Sequence, residues 1–162
     1  MLRPNQIHKA IYDIDLLSLK QVGFRAIMID LDNTLVAWDD GVIDRRVSQW
    51  LNLAGELGFK LCLLSNARQT RFEYFARILG IKGVGNAQKP RKSGFLSALN
   101  LLKSAPCETI MIGDQLFTDI LGAKRLGLFA VLVSPISEVE FFGTRITRKI
   151  EKITLRLLGI KR

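Results

Sequence analysis

Asp30 and Asp32 stand one residue apart where an apolar run ends, in the stretch IMIDLDNT over residues 27–34. Two carboxylates that close repel one another and resist desolvation, so the pairing calls for a cation or for proton-transfer chemistry. The i, i+2 spacing sets both acids on one side of an extended chain. Similar groups follow later: Ser65 and Asn66 after KLCLLS, Lys89 in AQKPRKSGF, and Asp114 with Asp119 after TIMIG. Carboxylates, a hydroxyl and an ammonium brought into one crevice suit phosphoryl transfer through a covalent aspartyl phosphate. A phosphate monoester is a dianion that resists attack by another anion, so its charge must be offset first. Magnesium held by oxygen ligands does this, with Asp30 and Asp114 as the expected side-chain ligands and a backbone carbonyl near Asp32 as a third. Lys89 would balance the remaining phosphate charge, and Ser65 would donate to a phosphate oxygen. Asp30 would then attack phosphorus, while Asp32 protonates the leaving oxygen and later deprotonates the hydrolytic water.

Such a site needs a scaffold that ends several strands at one edge. FRAIMID (24–30), KLCLLS (60–65), TIMIG (109–113) and FAVLVS (129–134) are near-continuous apolar runs of strand length, with a weaker candidate at GVGNA (83–87). Strands that read this way are buried on both faces, as in a parallel sheet. Between them, Val47, Trp50, Leu51, Ala54 and Leu57 recur at helical spacing and Gly58 offers a left-handed stop. Phe72, Phe75, Ala76 and Leu79 repeat the pattern before Gly80; Phe95, Leu99 and Leu102 mark a third helix, and Ile120 and Ala123 a fourth ending near Gly127. The alternation predicts a three-layer, doubly wound, Rossmann-like α/β domain with a mainly parallel five-stranded sheet. Ligands of such sheets gather beyond the carboxyl ends of the strands, where every candidate group above lies. The 162 residues suit one domain: residues 1–23 as a helix and turn packed outside, 24–136 as the catalytic core, and 137–162 as a basic C-terminal helix.

No stretch of 18 apolar residues is present, and the N-terminus lacks an apolar signal core, so a cytoplasmic location is expected. Cys62 and Cys107 have no metal-type partner nearby and read as structural, and His8 has no ligand constellation around it. The net charge of +9 is uneven: residues 141–162 carry seven Lys and Arg against Glu151, a net +6. Ile146, Ile150, Ile153 and Leu157 form one helical stripe there, flanked by Phe142 and Leu158. Arg145, Arg148, Lys149, Lys152 and Arg156 surround it, with Lys161 and Arg162 beyond. Such a helix either lies on an anionic membrane, each basic residue near the surface adding about 1 kcal/mol, or docks on the domain by its isoleucines. Cations would also suit nucleic-acid phosphates, but no stacking aromatics interleave with them, which argues against that partner.

Each short motif alone has an ordinary explanation as a turn, a cap or a solvated side chain. In order, DLDNT (30–34), LLSN (63–66), QKP (88–90) and GDQLFTD (113–119) resemble the four motifs of the haloacid dehalogenase superfamily of phosphatases. The resemblance implies Asp30 as nucleophile, Asp32 as acid/base and Thr34 as a holder of the loop. It implies a phosphate-binding set of Thr34, Ser65, Asn66 and Lys89. The implied magnesium set is Asp30, Asp32, Asp114 and Asp119, the last acting through the hydration shell or the loop. DLDNTLVAWD, GDQLFTDILGAKRLG and FFGTRITRKIE look more closely like the YqeG-type, subclass IIIA phosphatases, a group related to phosphatidylglycerophosphate phosphatases. That likeness implies a phospholipid headgroup as substrate and a location at the inner face of the membrane. Where many relatives read Ser-Asn-Asn at the second motif, Ala67 stands here.

Residues 35–64 and 67–88 leave no room for the cap domain that many relatives insert. An open crevice is expected, covered by the flap VAWDDG or by another subunit of an oligomer. Trp38 would either cover the substrate or pack against the flap base. Two competing readings remain: the same chemistry on a nucleic-acid 3′-phosphate or soluble phosphometabolite, and a non-catalytic binding module on the same fold. The intact Asp30, Asp32, Lys89 and Asp114 set weighs against the latter.

Overall fold

The computed structural model describes residues 2–39, 41–137, 150–151, 153–156 and 159. Arg145, Ile146, Arg148, Lys149, Lys152, Leu157, Leu158, Phe142, Lys161 and Arg162, with Asp40 of the flap, lie outside the described residues.

The central strand, β2 (Ala26–Ile29), is buried at every residue and pairs in parallel with β3 (Lys60–Leu64) on one side and β5 (Thr109–Gly113) on the other. Outward from these lie β4 (Gly83–Val84) against β3, and β6 (Phe129–Val133) against β5. A sixth strand, β1 (Gln6–His8), pairs in parallel with β6 and makes the sheet order β1-β6-β5-β2-β3-β4. The sheet is thus one strand wider than the sequence suggests, and residues 1–23 contribute an edge strand as well as a helix. Gln-Ile-His is short and half-buried throughout, so it lacks the continuous apolar run by which the inner strands announce themselves.

Alternate strand residues build two separate cores. Ile27, Ile29, Leu63, Ile110, Ile112, Val131 and Val133 face one helical layer. That layer is α1 (Leu16–Val22), α2 (Arg45–Glu56) and α3 (Gln69–Leu79). Met28, Cys62, Leu64, Met111, Ala130 and Leu132 face α4 (Lys92–Leu102) and α5 (Leu121–Lys124). The period-2 alternation of the strands accounts for this division. Asp15 and Asp44 start α1 and α2 by accepting Ser18 N–H at 3.1 Å and Arg46 N–H at 2.8 Å, and α3 stops at Gly80 in the left-handed region. Trp50 of α2 donates its indole N–H to Ile14 O at 3.1 Å, binding the N-terminal segment to the helical layer.

The strand order reverses between β2 and β5, where a doubly wound sheet leaves a crevice above its carboxyl edge. The chain crosses from β2 to α2 through residues 30–44 as one loop, which folds back on itself at a bridge between Val36 and Ile43. The short C-terminal stretch 150–156 packs on the α4/α5 side through Leu155.

Candidate active site

The crevice floor is made by the residues that end β2 and β5. Asp30, Asp114 and Asp119 are all buried, and carboxylate oxygens of the three lie within 4.8 Å of one another. Lys89, itself buried, stretches in from the turn before α4: its Nζ lies 2.5 Å from Asp30 Oδ1 and 2.6 Å from Asp119 Oδ1. Thr34 Oγ1 sits 3.4 Å from both Asp30 Oδ2 and Asp114 Oδ1, bridging the two strand ends. Burial pushes the Asp30 carboxyl well above its ordinary range; Lys89 pulls it back, and Asp119 and Asp114 push it up again. Burial alone would push the Lys89 ammonium down, but Asp119 and Asp30 hold it above its usual value.

Three buried carboxylates thus crowd around the Lys89 ammonium, all with oxygen donors. A divalent cation with oxygen ligands matches both the charge and the donor set. The Asp32 carboxylate is outside this cluster.

Asp119 reaches the floor because Gly113 lets it: a Cβ at Gly113 would strike the Asp119 carboxylate, so glycine is required by the close approach. The other Asp119 oxygen accepts Gln115 N–H at 3.1 Å, and the chain between them, Leu116–Ile120, is wound as a single wide π-helical turn.

Ser65 and Asn66 end β3. Ser65 Oγ accepts Ala67 N–H at 3.0 Å, leaving its own hydrogen for a ligand. Asn66 braces the Lys89 turn: its amide oxygen accepts Lys89 N–H at 2.7 Å and its amide nitrogen donates to Lys89 O at 3.1 Å. Ala67 acts here through its backbone, donating to Ser65 and accepting Asn86 N–H at 3.2 Å.

The rim is built differently. Asp32 is half-buried and paired with Arg71 of α3, Nε to Oδ1 at 2.7 Å. The same guanidinium donates to Ala37 O in the flap at 3.1 Å and stacks over Phe75, 5.0 Å from the ring centroid. Trp38, partly exposed, has its N–H on Asn33 Oδ1 at 3.2 Å.

Two contributors escape a reading by motif. Arg71 lies on a helix whose sequence signal is only its buried phenylalanine stripe. Glu151, the lone acid among the tail's cations, is buried at 1% exposure and accepts Leu116 N–H at 2.5 Å and Phe117 N–H at 3.2 Å. It thereby caps the π turn that carries Asp119. The docking face of residues 150–156 is consequently Glu151 and Leu155, while Ile150 and Ile153 are 52% and 57% exposed. Of the isoleucine stripe, only Ile150 and Ile153 lie within the described residues, and both are exposed.

Residues 35–127 match the family model of haloacid dehalogenase-like hydrolases. The chain belongs to that family. It is 35% identical to the probable phosphatase YqeG of Bacillus subtilis (strain 168), across 98% of this chain and 92% of that protein. It is 30% identical to phosphatidylglycerophosphate phosphatase 1, chloroplastic/mitochondrial, of Arabidopsis thaliana, across 90% of this chain but 44% of the relative. Among solved structures, an uncharacterized Listeria monocytogenes protein aligns with a TM-score of 0.59 at 20% identity, over 85% of this chain and all of that one. A subfamily III A member from Legionella pneumophila aligns at 0.52 and 20% identity, over 70% and 67% of the respective chains. The fold is therefore that of the family, and within it the chain groups with phosphatases of the YqeG type.

Proposed function

We propose that this protein is a magnesium-dependent phosphomonoesterase working through an aspartyl phosphate on Asp30, with phosphatidylglycerophosphate as substrate. The observation that carries the chemistry is the buried Asp30–Asp114–Asp119 cluster of carboxylates, with Lys89 bonded to Asp30 and Asp119. The lipid is supported by the likeness to the Arabidopsis enzyme. The loop 30–44 is short enough to leave the crevice open to a headgroup still in its bilayer. The exposed Ile150, Ile153 and Arg156, in a stretch of sequence with net charge +6, suit an anionic surface. No helix among the described residues is long and apolar enough to cross a membrane.

Asp30, Asp114 and Asp119 would hold the magnesium, which supplies the positive charge that offsets the phosphate dianion. The Asp30 carboxylate oxygen attacks phosphorus and the ester P–O bond breaks, its electron pair leaving on the alcohol oxygen. Asp32 gives that oxygen a proton. Asp32 then takes a proton from water as the water oxygen attacks phosphorus, releasing phosphate and restoring Asp30. Lys89 and the Ser65 hydroxyl face the phosphate oxygens. An Asp32 that donates a proton is no longer a carboxylate partner for Arg71, so the guanidinium must turn aside during this step.

Phosphate release would be compared on phosphatidylglycerophosphate vesicles, a 3′-phosphorylated oligonucleotide and an aryl phosphate, with magnesium and with chelator, using Asp30→Asn as control. Magnesium-dependent release highest on the lipid and absent in the control is expected. Release from the oligonucleotide alone would overturn the substrate, and no release from any would overturn the enzyme.

A further inference from the structure

We propose that a groove beside the catalytic floor is a second anion subsite, which takes a phosphodiester carried on the far side of the substrate's short polyol. This rests on the phosphomonoesterase reading and adds to it what distinguishes one monoester from another. The groove, about 310 Å³, is walled by Lys9 and Tyr12 after β1, Thr34 after β2, Arg46 at the start of α2, and Ser134 after β6. All these strands run parallel, so the groove shares the carboxyl edge of the sheet with the carboxylates. Thr34 belongs to both: its hydroxyl bridges Asp30 and Asp114, and the residue also lines the groove. The turn after β6 is tied to the catalytic loop, Ile136 N–H donating to Asn33 O at 3.0 Å. It is tied to β1 as well, Ser134 N–H donating to His8 O at 3.1 Å.

The groove is lined by two cations, Lys9 and Arg46, and one carboxylate, Asp44, which is paired with Arg46; Asp13 also lies near enough to act on Arg46. Arg46 is oriented in advance: it lies 4.3 Å above the Tyr12 ring and is gripped by Asp44, Nη2 to Oδ2 at 2.7 Å. Lys9 is exposed and makes no ion pair among the described residues, so no existing bond need be broken for it to meet an anion. The hydroxyls of Tyr12 and Ser134 add donors, and Ile11, Val47 and Ile136 give the remaining wall an apolar surface suited to a polyol's carbon face. A ligand with one phosphate over Asp30 and a second anion a few carbons away would span floor and groove together. A simple monoester would fill only the floor.

The test uses the full chain and three substrates: glycerol 3-phosphate, the water-soluble deacylated glycerophosphoglycerol phosphate, and the diacyl lipid in vesicles. Lys9→Met and Arg46→Gln should each lower the ratio of kcat/KM for the deacylated headgroup over glycerol 3-phosphate about tenfold, the scale of one charge-assisted contact. The lipid should show the same fall. Binding of the deacylated headgroup to Asp30→Asn, measured by calorimetry, should weaken by a similar factor when Lys9→Met is added. An unchanged ratio, an equal loss on all three substrates, or a loss confined to the lipid would each overturn the subsite. Should the wild-type chain hydrolyse nothing, the enzyme reading fails, while the calorimetric comparison still decides the groove.

Discussion

The floor and the rim of the crevice hold their charges on opposite terms. On the floor, Asp30, Asp114 and Asp119 are buried around one lysine, with three carboxylates to one ammonium among the described contacts. At the rim, one arginine meets one aspartate, the charges cancel, and both side chains reach solvent at 29% and 19% exposure. A buried, unbalanced cluster is costly unless something arrives to balance it; an exposed, balanced pair is cheap to make and to break. In the proposed mechanism the floor receives charge, and the rim contact opens within each turnover.

The most damaging way to probe this contrast is at its centre. Lys89→Met removes the only cation from the described floor, and losing one partner of a buried ion pair typically costs about 3–5 kcal/mol. Thermal denaturation should show a large fall in Tm without metal and a partial recovery in millimolar magnesium, larger than any gain by the wild-type chain. Equal gains would mean that the floor is not short of positive charge. Asp32→Asn should lower kcat by about 10²–10⁴, the usual range for a lost acid/base, while leaving Tm near the wild-type value because the residue sits at the rim. A matching collapse of stability would erase the distinction between the two regions. Arg71→Met should be mildest, moving stability by no more than about 1 kcal/mol and kcat by about tenfold or less on the aryl phosphate. A loss as deep as that of Asp32→Asn would show that the pair is a fixed part of the acid/base machinery instead of a releasable one.

The two regions also differ in how plainly the sequence displays them. Every floor residue follows an apolar strand or opens a helix, so strand patterning and residue type together place Asp30, Asp114 and Lys89. The inner strands were equally visible, because burial on both faces demands continuous apolar runs. What reached the site from elsewhere left no local mark. Arg71 looks like one more solvated cation on α3 until the flap brings Ala37 O and Asp32 to it. Asn66 sits in a motif, yet its actual partner is the backbone of Lys89, 23 residues on. The edge strand β1 has half-buried residues and is defined by backbone pairing to β6 alone, which side-chain type does not report.

Glu151 gives the chain's synthesis a direction. The two amides it accepts lie on the turn leading out of the Asp114 loop, 35 and 34 residues before it, and they have been made long before their acceptor exists. A nascent chain that has completed every strand of the sheet still has Leu116 and Phe117 N–H to satisfy, one of them in a buried setting. A premature stop between residues 134 and 150 would preserve all four motifs and every strand, and still release a product with that turn uncapped. The turn that carries Asp119 is capped only once residue 151 has been made.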